Sequence, residues 1–161
     1  MRRPDLQFLF AHPAHFIALG FGAGLSPVGP GTAGTLAAWL LFPLLSTALP
    51  EPMLLLFLLT AFVLGIFAAD RTGKALGVSD HGAIVWDEMV PFWLVLAFTP
   101  ATLGWQAAAF VLFRFFDIVK PQPVGWADSK VKGGFGVMLD DVIAAGYTLL
   151  VLAIAMRFLE A

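Results

Sequence analysis

Four stretches of this sequence carry no formally charged side chain: 31–50, 52–69, 89–113 and 142–156. The first two hold 20 and 18 residues and the third 25, against the ~20 apolar residues that carry an α-helix across a bilayer. Backbone polar groups in hydrocarbon must be satisfied internally, so runs of this kind leave helices as the spanning element. Composition agrees, because 60% of the residues are hydrophobic and 12% charged, where soluble domains carry roughly 25% charged residues. Such a chain cannot coat a water-soluble globule. The expected fold is all-α: a polytopic membrane helix bundle formed by one membrane-embedded domain over 1–161.

The number of spans depends on two proline-containing joints. Leu49-Pro50-Glu51-Pro52 is a short stiff turn, since proline removes a donor and biases the preceding residue away from the helix. It predicts that the first two spans form an antiparallel pair. The 89–113 run reads either as one tilted helix or as two helices, 83–98 and 101–119, broken at Thr99-Pro100. The basic residues favour the break. Arg2 and Arg3, then Arg71 and Lys74, then Lys120, Lys130 and Lys132 all fall on one side of the membrane only if two segments pass between the second and third groups, as the positive-inside rule requires. With a last helix over 135–159, about five spans result. The 6–29 segment is apolar but interrupted by glycine, proline and histidine, and is expected to be an interfacial or re-entrant piece. His12-Pro13 breaks the apolar region that a cleaved leader would need.

Other classes drop out. There is no cysteine, which removes thiolate nucleophiles and thiolate metal sites. The net charge of -2 and the absence of any long basic run give no reason to expect a nucleic-acid partner. Nothing in the sequence sets an oligomeric state.

Charge at a membrane span is costly, so the residues that carry it are functional candidates. Asp87 and Glu88 open the third helix, Arg114 and Asp117 close the fourth, and Asp140 and Asp141 open the fifth. In a hairpin turning at Thr99-Pro100, Asp87 lies ~17 Å and Arg114 ~20 Å from the turn, at similar depth. Three chain segments therefore meet in one layer. A solvated rim with a local Arg114–Asp117 pair would explain some of this. Adjacent acidic pairs repel unless a cation offsets them, and hard oxygen ligands suit Mg²⁺ or Mn²⁺.

Residues 20–35, GFGAGLSPVGPGTAGT, form a glycine- and hydroxyl-rich loop that feeds the first span. Free N–H groups from Ser26 through Gly31, Thr32 and Thr35 suit a phosphate at a helix N-terminus, and small residues at this spacing serve helix packing equally well. No Walker lysine follows. His81 could donate to a phosphate oxygen, act as acid or base, or simply be polar surface. Lys120 could hold phosphate, or set topology with Lys130 and Lys132.

Taken in chain order, the 20–35 loop, DHGAIVWDE at 80–88, FRFFDIVKPQP at 113–123 and GGFGVMLDD at 133–141 resemble the phosphatidylglycerophosphatase A family. The resemblance implies a bacterial inner-membrane, multi-pass enzyme with its site facing the cytoplasm. It would hydrolyse the terminal phosphate of phosphatidylglycerophosphate in phospholipid biosynthesis, with Mg²⁺ as cofactor.

A phosphomonoester dianion resists attack unless cations offset its charge. The expected site has Asp87, Glu88, Asp117, Asp140 and Asp141 at Mg²⁺, with one carboxylate left as base. Arg114, Lys120, Ser26, Gly31, Thr32 and Thr35 hold the phosphate, and His81 protonates the leaving alkoxide. The roles among the carboxylates stay open, and a covalent aspartyl route would show as a labelled phosphoprotein. The alternative from another class is a small cation transporter or channel, for which repeated halves and mid-membrane charges are missing.

Overall fold

The computed structural model describes residues 3–159; Arg2, used above to orient the chain, lies outside them. Among the described residues all regular structure is helical. Two short helices, α1 (Leu6–Ala11) and α2 (Pro13–Ala18), lead through a 3-10 segment (Gly20–Leu25) into α3 (Pro30–Ala48) and α4 (Glu51–Leu76). Then follow α5 (Trp86–Ala97), α6 (Leu103–Val119), α7 (Val124–Lys130) and α8 (Gly133–Leu159).

The ends of the long helices are set by familiar local chemistry. Gly29, at φ 54°, turns the chain into α3 and Pro30 takes its first position, where a missing N–H costs nothing. Gly77, at φ 76°, closes α4 by donating to the carbonyls of Gly73 and Lys74, the usual left-handed stop. The Thr102 hydroxyl caps α6 through the Trp105 N–H. The break at Thr99-Pro100 is present, since α5 ends at Ala97 and α6 starts at Leu103.

Three helices, α3, α4 and α8, are long and apolar enough to cross a membrane. α5 falls short of its expected 83–98 extent. Residues 83–85 are not helical, and the 12 residues of α5 rise only about 18 Å. It is an inner helix, buried along ten of those residues. The 6–29 segment contains no helix of spanning length.

The antiparallel pairing of α3 with α4 needs correction. They touch little, and α3 packs on α5 while α4 packs on α8 and α2. The cause is where the small residues lie. A side chain at Gly34 would press into Val85, and one at Gly65 into Trp86 and Met138, so the faces that permit close approach look toward α5 and α8. The indole N–H groups of Trp86 and Trp93 lock this arrangement, donating to Ala61 O on α4 at 2.9 Å and to Ala38 O on α3 at 2.8 Å. α8 completes the bundle against α4, α5, α6 and α7.

Candidate active site

Both acidic pairs are buried in the N-terminal halves of their helices. Asp87 and Glu88 are in the first turn of α5, and Asp140 and Asp141 lie about two turns into α8. Asp141 is within electrostatic reach of Asp117, Asp87, Asp140 and Glu88, so the three segments do meet in one layer.

Arg114 is the hub of one half. Its Nη1 stands 2.6 Å from Asp117 Oδ2, 3.0 Å from Glu88 Oε1 and 3.4 Å from Thr35 Oγ1. The local Arg114–Asp117 pair is therefore one arm of a network that also ties α6 to α5 and α3. The Thr35 hydroxyl in turn donates a hydrogen bond to Gly31 O at 3.0 Å. Gly31 is close enough that a side chain there would collide with Glu88 Oε1 and meet Arg114 Nη2 at 3.1 Å. Arg114 Nε is buried without a partner, so the guanidinium retains donor capacity beside the first turn of α3.

Lys120 is the hub of the other half. It closes α6 in the left-handed region at φ 48°, a conformation a non-glycine residue adopts at some cost. Its Nζ reaches Asp128 Oδ1 on α7 at 2.6 Å and Asp140 Oδ2 on α8 at 2.7 Å. Burial alone would lower the Lys120 pKa, but the hydrogen bonds to these two carboxylates outweigh it and hold the ammonium above its ordinary value. A cavity of about 50 Å³ lies beside it, lined in part by Asp80, Asp128 and Asp140. Asp80 is pushed above the usual carboxylate range by desolvation, and the charge of Lys120 opposes that push.

His81 is buried. Its Nδ1 accepts the Ala83 N–H at 3.2 Å, and its Nε2 has no partner. That bond places the ring's single proton on Nε2, as an available donor. Ser26 is not drawn into the layer: its hydroxyl donates to Val28 O within its own loop. Thr32 stays at the start of α3 beside Gly29.

Asp80 and Asp128 were missed by sequence reasoning. Asp80 sits inside a quoted motif, beside His81, and that adjacency was the available signal. Asp128 lies in a stretch read only for its lysines, and nothing local marks it, because its partners come from the end of α6 and from α8.

The donor chemistry suits a hard divalent cation. Glu88 Oε2, Asp140 Oδ1 and Asp141 Oδ1 are buried carboxylate oxygens with no hydrogen-bond partner, a costly condition that a bound cation would relieve. Among the described residues no three His, Asp or Glu side chains form a ready-made cage. The fit is thus one of donor type.

A family model described as Phosphatidylglycerophosphatase A matches residues 16–156. A Haemophilus influenzae protein named Phosphatidylglycerophosphatase A is 47% identical over 92% of this chain and 91% of its own length. An Escherichia coli protein of the same name is 44% identical over 83% of this chain and 78% of its own. A Bacteroides thetaiotaomicron protein provisionally named a phosphatidylinositol-3-phosphatase is 43% identical over 86% of this chain and 91% of its own. No solved structure matches.

Proposed function

The chain belongs to the phosphatidylglycerophosphatase A family, and from that premise we propose that it releases inorganic phosphate from phosphatidylglycerophosphate to leave phosphatidylglycerol. The observation that carries this reading is the Arg114 hub, a cation with spare donors fixed between the N-terminus of α3 and a layer of buried carboxylates. Phosphate binding needs such a cation, and phosphoryl transfer is mostly positioning and charge stabilisation.

In the proposed site the phosphate sits at the first turn of α3, where the Gly31 and Thr32 N–H groups and the guanidinium donate to its oxygens, and Thr35 steadies the guanidinium by accepting from Nη1. Lys120 adds positive charge from the opposite side of the layer. Asp87 and Asp141 would supply the main ligands of a Mg²⁺ ion, and Glu88, Asp117 and Asp140, already paired with Arg114 or Lys120, the weaker ones; the ion would offset the charge of the phosphoryl oxygens. One carboxylate takes a proton from the attacking water as the new P–O bond forms. The bond from phosphorus to the glycerol oxygen breaks, the departing alkoxide takes a proton from solvent water, and the carboxylic acid formed on water attack returns its proton to solvent. His81 supports that oxygen as a hydrogen-bond donor through Nε2–H. Its role is donation of a hydrogen bond more than of a proton, because a neutral ring giving up its only proton would become imidazolate.

The bundle works as one membrane-embedded unit over 1–161 in the bacterial inner membrane, serving phospholipid biosynthesis. α5 and α6 form a hairpin that enters and leaves on the same side. The basic groups at 71–74 and 120–132 therefore share the cytoplasmic side whether or not α5 crosses fully. Nothing favours the cation-transporter alternative, and the relatives are named as phosphatases.

The test is phosphate release by purified protein from phosphatidylglycerophosphate, with Mg²⁺ or with a chelator, beside phosphatidic acid and phosphatidylinositol 3-phosphate. Release from the first lipid that stops with chelator is expected. Preference for another of the three would keep the chemistry and replace the substrate, and release unaffected by chelator would remove the metal.

A further inference from the structure

Because α3 pairs with α5 and not with α4, a groove of about 420 Å³ opens between α3 and α4, within the ~300–1,000 Å³ range of ligand sites. Its walls are Leu41 and Leu45 of α3, Phe57 and Leu64 of α4, and Trp86 and Trp93 of α5. The polar side chain on the wall, Thr60, donates its hydroxyl back to Leu56 O at 2.8 Å. Both indole N–H groups are likewise engaged with backbone carbonyls. No wall group is left to hold water, so the groove favours hydrocarbon over water as its occupant.

Two further observations identify the occupant. Leu44 and Leu64 at the rim are exposed, on helices long and apolar enough to span, so the opening faces the hydrocarbon of the bilayer. The groove is also continuous with the segments that build the active layer. Phe21, from the glycine-rich segment, stands edge-on to Trp86, the residue preceding Asp87, with ring centroids 5.4 Å apart. Trp86 stands edge-on to Trp93 at 5.5 Å, and the two lie about 10 Å apart along α5. An aromatic wall thus runs from the acidic layer toward the membrane interior.

Resting on the lipid-phosphatase reading above, we propose that this groove seats one acyl chain of the lipid substrate while its phosphate lies at Gly31 and Arg114. The chain lies against the Trp86–Trp93 wall, so substrate is held at both ends. This distinguishes a phosphatase that grips its lipid from one that only meets headgroups at the membrane surface.

Thr60→Phe tests it, since Thr60 is exposed at the rim and a phenyl ring there fills the groove without entering the core. For dipalmitoyl phosphatidylglycerophosphate in detergent, kcat/KM should fall about tenfold, equivalent to expelling roughly two methylene groups from apolar contact. For the dibutanoyl analogue, too short to fill the groove, the change should stay within about twofold. Equal losses on both substrates, or no loss on either, would overturn the proposal. A second readout needs no turnover. With Trp39, Trp105 and Trp126 changed to Phe, only Trp86 and Trp93 fluoresce. Phosphatidylglycerol vesicles brominated along the acyl chains should quench them, and Thr60→Phe should relieve the quenching. Unrelieved quenching would sink the groove. Relieved quenching in a protein that hydrolyses no phosphatidylglycerophosphate would leave the groove standing and count against the phosphatase reading alone.

Discussion

The two hubs of the active layer are built alike and differ in one respect. At the start of α5, Glu88 is ion-paired to Arg114 at 3.0 Å while its neighbour Asp87 has no cation; in α8, Asp140 is ion-paired to Lys120 at 2.7 Å while Asp141 has none. Each acidic pair is therefore split into a neutralised member and an uncompensated one. The Arg114 hub is enclosed, with side chains 13% and 11% exposed at the Glu88 bridge, whereas the Lys120–Asp128 bridge is open at 28% and 37%. A closed arginine centre suits fixed gripping of a phosphate. A lysine centre on a loop holds α7 and α8 in place more loosely. The uncompensated carboxylates, one beside each hub, are the natural candidates for cation binding and water activation, because no side-chain cation pairs with either of them.

Changes to the uncompensated pair should have the largest effect. Asp87→Asn or Asp141→Asn should lower kcat by ~10²–10⁴-fold with no fall in melting temperature, since each removes a buried charge that lacks a partner. A matching drop in melting temperature would show the loss to be structural. Arg114→Lys should cost about 10²-fold in kcat/KM, because a point charge cannot reproduce a guanidinium that donates in several directions.

Gly31→Ala should act on the enclosed hub alone. The new methyl group collides with a Glu88 carboxylate held by Arg114, so a stability loss of ~1–3 kcal/mol is expected together with weaker phosphate binding. Asp128→Asn, at the open hub, should cost only ~0–1 kcal/mol and a few-fold in rate; a loss as deep as that of Arg114→Lys would erase the distinction between the hubs.

The smallest effect lies outside both. His15 is buried, bonded through Nδ1 to Thr72 at 2.9 Å and stacked on Phe8. Its pKa is lowered by burial first, then by His12 and Arg71. A lowered folded-state pKa gives stability that is present above the unfolded value, near 6.5, and is lost as pH falls through the folded value. Melting temperature should therefore drop modestly below about pH 6.5, and His15→Asn should flatten that drop without changing kcat.

Sequence carried the charged layer well, because membrane charges are rare enough for Asp87, Arg114 and Asp141 to stand out. It carried the Thr99-Pro100 break for a similar reason, since charge parity constrains topology independently of packing. It gave the wrong partner for α3, because a short turn brings two helix ends together without choosing which faces meet. Gly31 and Thr35 were read for phosphate, and the helix packing that the small residues of the same loop equally allowed is what Gly34 serves, where Val85 at the head of α5 approaches it. The length of α5 was overstated because 83–85 are as apolar as a helix start but serve as a buried strap, with Val85 donating to Ala18 O at 2.9 Å. The Asp128–Lys120 bridge was invisible because it joins residues through a short helix, α7, that lacks a marked hydrophobic pattern.

The most direct test compares the two members of one pair. Phosphate release from phosphatidylglycerophosphate would be followed against Mg²⁺ concentration for the wild type, Asp141→Asn and Asp140→Asn. The account predicts that Asp141→Asn abolishes release or raises the Mg²⁺ needed for half-maximal rate by about tenfold or more, while Asp140→Asn keeps a near-normal Mg²⁺ requirement at reduced kcat. The reverse pattern, or equal shifts in both, would contradict the division of labour between paired and uncompensated carboxylates.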